Sequence, residues 1–72
     1  MIYYVVDCWY ENGYASSIFH GVYKRLVYAR KAFEKYKPRA LGNDSIRLAL
    51  YEVDTSEKDK IGFYKYGWID KI

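Results

Sequence analysis

Asp7, Cys8, Ser16 and His20 are the residues of this sequence whose types could do chemistry. A cysteine within hydrogen-bond reach of a histidine makes a thiolate nucleophile, and a serine, histidine and aspartate in line make a hydroxyl nucleophile with its base and its orienting acid. Cysteine and histidine occur once each, so neither an internal disulfide nor a metal site built from several such ligands can be assembled. Whether the four residues can meet depends on the elements that carry them.

Ile2 to Tyr10 alternates as a strand rich in β-branched and aromatic residues, and Asn12-Gly13 is a strong hairpin signal because both central positions of a type I′ turn need positive φ. A second strand is expected from Tyr14 to about Val22. A two-residue turn sets Glu11 against Tyr14, Tyr10 against Ala15, Cys8 against Ser17, Val6 against Phe19 and Tyr4 against Gly21. Ile2, Tyr4, Val6, Cys8, Tyr10, Ala15, Ser17, Phe19 and Tyr23 then share a core face. Tyr3, Val5, Asp7, Trp9, Ser16, Ile18, His20 and Val22 share the other. Cys8 and His20 fall on opposite faces and cannot form a dyad. Ser16 and His20 share a face, but at about 3.3 Å per residue they stand roughly 13 Å apart, too far for proton transfer. Asp7 lies diagonal to His20, which suits a structural or ligand hydrogen bond. No catalytic residue is expected, and the chain reads as non-enzymatic.

From about Lys24 to Tyr36 the period changes: Leu26, Ala29, Phe33 and Tyr36 make one helical stripe, with Lys24, Lys31, Glu34 and Lys35 facing away. Pro38 is expected to end this helix. After a loop through "RALGNDS", Ile46, Leu48 and Leu50 alternate with Arg47, Ala49 and Tyr51 in a third strand. "TSEKD" reads as a turn, and Ile61 to about Tyr66 as a fourth strand that Gly67 bulges or ends. The expected fold is α+β, one domain over residues 1–72 in the order β-β-α-β-β. A right-handed crossover of the helix over the first strand makes a single four-stranded antiparallel sheet of order 2-1-3-4, with the helix on one face.

The net charge of +3 is unevenly spread. Residues 1–23 contain no Lys or Arg, whereas residues 24–39 hold Lys24, Arg25, Arg30, Lys31, Lys35, Lys37 and Arg39 against Glu34 alone. Such a block is either a solvated helix face or the footprint of an acidic partner. A core this small rarely supplies more than about 3–5 kcal/mol, and with disulfide and metal excluded, self-association is the remaining staple. "LGNDS" and "YGW" cannot cradle a phosphate. No apolar run approaches a membrane span and the start has no basic leader, so a cytoplasmic protein without cofactor or membrane partner is expected.

One helix covers one face of the sheet, and the face left open is too apolar for water. Tyr3, Val5, Trp9, Ile18, Tyr64 and Tyr66 are the expected subunit interface. Trp9, His20, Arg30, Arg39, Arg47 and Tyr51 are the expected ligand contacts, arginine being suited to phosphate and base edges. Trp9 could serve subunit contact, ligand stacking or neither. Sheets that stack single-stranded bases combine aromatics with cations, but here most of the cations are expected on the helix side. A nucleic-acid regulator using the basic helix is the alternative to an oligomer that binds a protein or an anionic nucleotide.

The run "SIFHGVYKRLVYARKAFEKY" followed by "IRLALYEVD" resembles small orphan β-β-α-β-β proteins of bacteriophage genomes, in which a "GVY" strand end leads into a helix of "lv-A-kkaFe-y" pattern. The resemblance implies an inhibitor of bacterial immunity that works in the host cytoplasm. Some such proteins bind an effector protein and others sequester nucleotide signals. It transfers no ligand residues.

Overall fold

A computed structural model describes residues 1–11, 16–58 and 60–72. The expected Asn12-Gly13 turn, with Tyr14 and Ala15, lies outside them. Strands β1 (Ile2–Tyr10), β2 (Ser17–Tyr23), β3 (Ile46–Lys58) and β4 (Tyr64–Lys71) and helix α1 (Leu26–Leu41) follow in the order β-β-α-β-β. They form one antiparallel sheet of order β2-β1-β3-β4. The helix packs on one face, its Ala29, Phe33 and Ala40 joining Val6, Cys8, Ile46, Leu48 and Leu50 of the sheet in one core, all buried.

The hairpin register differs from the one the turn rule sets. Tyr4 pairs with Tyr23, Val6 with Gly21 and Cys8 with Phe19, a slide of two residues that leaves the faces of these positions unchanged. Asp7 therefore stands directly opposite His20, not diagonal to it. Packing explains the choice: Phe19 stacks on Tyr36 of the helix, centroids 4.7 Å apart. A side chain at Gly21 would begin 2.8 Å from both the Phe19 ring and the Tyr23 hydroxyl, so these aromatics close over a position that only glycine leaves free. Beyond Cys8 a bulge puts Ser17 opposite Trp9. Ser17 is thus not a core residue, and Ile18, expected on the open face, packs half-buried against the core.

The helix ends were also misplaced by local rules. Arg25, in extended conformation and without a side-chain cap, precedes the first turn, and its carbonyl accepts from the Tyr28 and Ala29 amides. Pro38 lies inside the helix, which runs on to Leu41. Losing one amide donor is offset by burying Ala40, and the Gly42 N–H returns to the Pro38 carbonyl at 3.0 Å. Leu26, expected in the core stripe, is 36% exposed at the helix start.

β3 continues through "TSEK", where a turn was expected. The Thr55 amide and hydroxyl both donate to the Met1 carbonyl, and the Ser56 amide and hydroxyl donate to Asp54. β4 starts at Tyr64, three residues later than expected, and Gly67 sits within it opposite Glu52. The register of this pairing shifts at two other places, between Asp54 and Lys58 and between Leu50 and Tyr51; at the second, Leu50 pairs with Asp70 and Tyr51 with Trp68, so Ile69 is the extra residue. Ile69 packs against the core, and Trp68 is aimed at the opposite face.

Cys8 is fully buried on the helix-covered face, and burial pushes its thiol above the ordinary range against a smaller opposing pull from Arg39. A thiol-specific disulfide reagent should leave the native protein unlabelled and modify one thiol per chain in denaturant. Rapid labelling under native conditions would contradict this burial.

Candidate functional site

The uncovered face carries the residues that β1, β3 and β4 aim away from the helix. A cleft of about 290 Å³ is lined by Asp7, Trp9, Ala49, Tyr51, Val53, Tyr64, Tyr66 and Trp68. Strand alternation brings Ala49, Tyr51 and Val53 to it from β3, and the Ile69 bulge brings Trp68 alongside. Tyr51, Tyr66 and Trp68 meet edge to face in a triangle with centroids 5.4 to 5.8 Å apart, a geometry that aligns ring edges with ring faces. Val5 and Ala49 are only 6% and 1% exposed although no helix covers them. Larger neighbours on the same face shield them.

Asp7 is the polar centre of this face. One carboxylate oxygen bonds His20 Nδ1 across the β1–β2 pair, and the other accepts from the Tyr51 hydroxyl at 2.7 Å across the β1–β3 pair. Burial, then the bond to the Asp7 carboxylate, pushes the Tyr51 phenol well above its ordinary value. The unfolded chain therefore releases this proton first, and the stabilisation is whole below about pH 10 and lost as the pH rises beyond it. Tyr51→Phe should cost about 1 kcal/mol near neutrality. Urea melts at rising pH should show that deficit shrinking above about pH 10; a deficit constant through this range would mean the hydroxyl is not coupled to Asp7. A second cleft of about 620 Å³, lined by Asp7, Cys8, Trp9, Ser17 and His20, adjoins the first through Asp7 and Trp9.

The expected ligand residues divide between the two sides of the sheet. Trp9, His20, Arg47 and Tyr51 belong to the uncovered face, but Arg47 is engaged by the Glu11 carboxylate and the Asp44 carbonyl, both at 2.5 Å. Arg30 and Arg39 belong to the helix, and Arg30 bonds Asp70 at 3.3 Å. Of the expected interface, Tyr64 and Tyr66 are exposed and Tyr3 and Trp9 half-buried, whereas Val5 is buried and Ile18 turned to the core. Cys8 and His20 lie on opposite faces, the first buried and the second exposed.

Asp7 was underweighted in the sequence, although an acid within the otherwise apolar central strand was the available signal. A further surface escaped it altogether. Between α1 and the β2 edge, Phe19, Tyr23, Tyr28, Lys31, Ala32, Lys35 and Tyr36 line a groove of about 330 Å³. Aromatic and cationic groups thus do combine within one chain, on the helix side. Comparison with known proteins finds no matching family model, no matching curated protein and no matching solved structure. No helix among the described residues is long and apolar enough to cross a membrane.

Proposed function

We propose that the protein is a non-enzymatic binding protein that pairs with a second copy of itself through the uncovered sheet face and turns its basic helix outward to an acidic partner. The observation behind this reading is the continuous aromatic surface of Tyr51, Tyr64, Tyr66 and Trp68, whose last three members are all exposed. Scattered exposed apolar residues are ordinary, but a contiguous patch marks an interface. The longer axes of the molecule are 36 and 29 Å and the shortest 15 Å, so the sheet presents one of its broad sides for such a contact. Two sheets facing each other about 10 Å apart form a sandwich with a helix on each outer side. The phage resemblance supports an inhibitor of host immunity. Holding a small anion between Trp9 and Arg30 or Arg39 is the less favoured mode, because in this pair both arginines stay on the outside.

Sedimentation equilibrium tests the pairing. The expected mass is twice the 8.6 kDa of the chain. A protein that keeps its single-chain mass at roughly 100 µM, far above a micromolar Kd, overturns the proposal.

A further inference from the structure

The cations of α1 are not equivalent. On the flank towards β4, Arg30 pairs with Asp70 and Lys37 with Glu34. On the other flank Tyr28, Lys31 and Lys35 line the groove facing β2, and Arg39, four residues beyond Lys35, continues the same helical stripe past that lining. Among the described residues none of its three cations has a carboxylate partner. The Lys31 ammonium lies 5.6 Å from the Tyr28 ring centroid and that of Lys35 lies 5.7 Å from Tyr36. Tyr28 is 52% exposed, whereas Tyr36 is already stacked on Phe19. The stripe therefore offers an accessible ring beside a row of unneutralised charge about 12 Å long at 1.5 Å per residue.

We infer that the groove between α1 and the β2 edge binds single-stranded nucleic acid, with a base stacked on Tyr28 and the backbone phosphates following Lys31, Lys35 and Arg39. Charge complementarity selects a polyanion, because the row is cationic throughout while the opposite flank is neutralised. The exposed ring selects unpaired bases, whose faces are free to stack, over a duplex. The length of the row selects a strand over a mononucleotide, which could engage only one end of it. The site shares with the proposed function only the outward position of the helix. Its test is independent of pairing.

Fluorescence anisotropy of a labelled oligothymidylate of roughly a dozen nucleotides, the scale of a single-strand site, decides the matter. Binding is expected to weaken as salt rises. Tyr28→Ala should lower affinity about tenfold with little change in salt slope, and Lys31→Glu with Lys35→Glu should remove binding. Lys37→Glu on the neutralised flank should change affinity less than about twofold, since it adds charge away from the strand. All four positions are at the surface, and circular dichroism checks that each variant is folded. The inference is overturned by no binding at roughly 100 µM protein, the weak limit of non-specific association. Equal losses from Lys37→Glu and Lys31→Glu, an unaffected Tyr28→Ala, or competition by duplex or thymidine monophosphate as effective as by the strand would each overturn it too.

Discussion

Phe33→Ala is expected to leave the protein unfolded at room temperature. Phe33 is fully buried in one cluster with Val6, Cys8, Leu48 and Leu50, in the layer the helix and sheet share. Truncating a buried phenylalanine costs about 3–5 kcal/mol, and a core of this size rarely supplies more than about that in total. There is no disulfide to hold the chain together once the core fails, because Cys8 is the sole cysteine. Circular dichroism and urea titration measure the outcome. A cooperative transition at the wild-type midpoint would show that the helix is not what holds the sheet. Partial rescue by a Phe33→Leu variant, which restores most of the apolar volume, should separate loss of packing from any other effect.

Trp68→Glu is expected to leave the fold intact and to dissociate the proposed pair. The side chain is 54% exposed and belongs to the ring triangle, not to the buried layer beneath the helix. In the single chain a carboxylate at this place would meet water and Lys71, whose ammonium lies 5.3 Å from the present ring. Between two paired sheets it would be desolvated once in each copy, at several kcal/mol per ion, which raises Kd by more than about a hundredfold. Leu41→Glu, at an exposed position at the helix end, is the control that should leave pairing unchanged. Sedimentation of both variants beside the wild type tests the interface. A dimer that survives Trp68→Glu but not Leu41→Glu would move the contact to the helix side and remove the uncovered face from the proposal.

The alternation of Ile2 to Tyr10, the helical stripe of Ala29, Phe33 and Tyr36, and the alternation from Ile46 to Leu50 were sufficient to determine the order β-β-α-β-β and the antiparallel sheet β2-β1-β3-β4. They also implied that one face stays open and that Cys8 and His20 cannot meet, because strand parity survives a two-residue slide. Tertiary structure alone decided the features that shape the two surfaces. The bulges beside Trp9 and at Ile69 determine where Ile18 and Trp68 point, and a bulge is selected by what its residues bury across the sheet, information absent from the local pattern. Pro38 stays helical because Ala40, two residues on, gains a buried position. The stripe of Tyr28, Lys31, Lys35 and Arg39 could be counted from the sequence, but its unneutralised charge could not. Asp70, forty residues from Arg30, reaches the helix only after β4 has joined the sheet, and it neutralises one flank while leaving the other open.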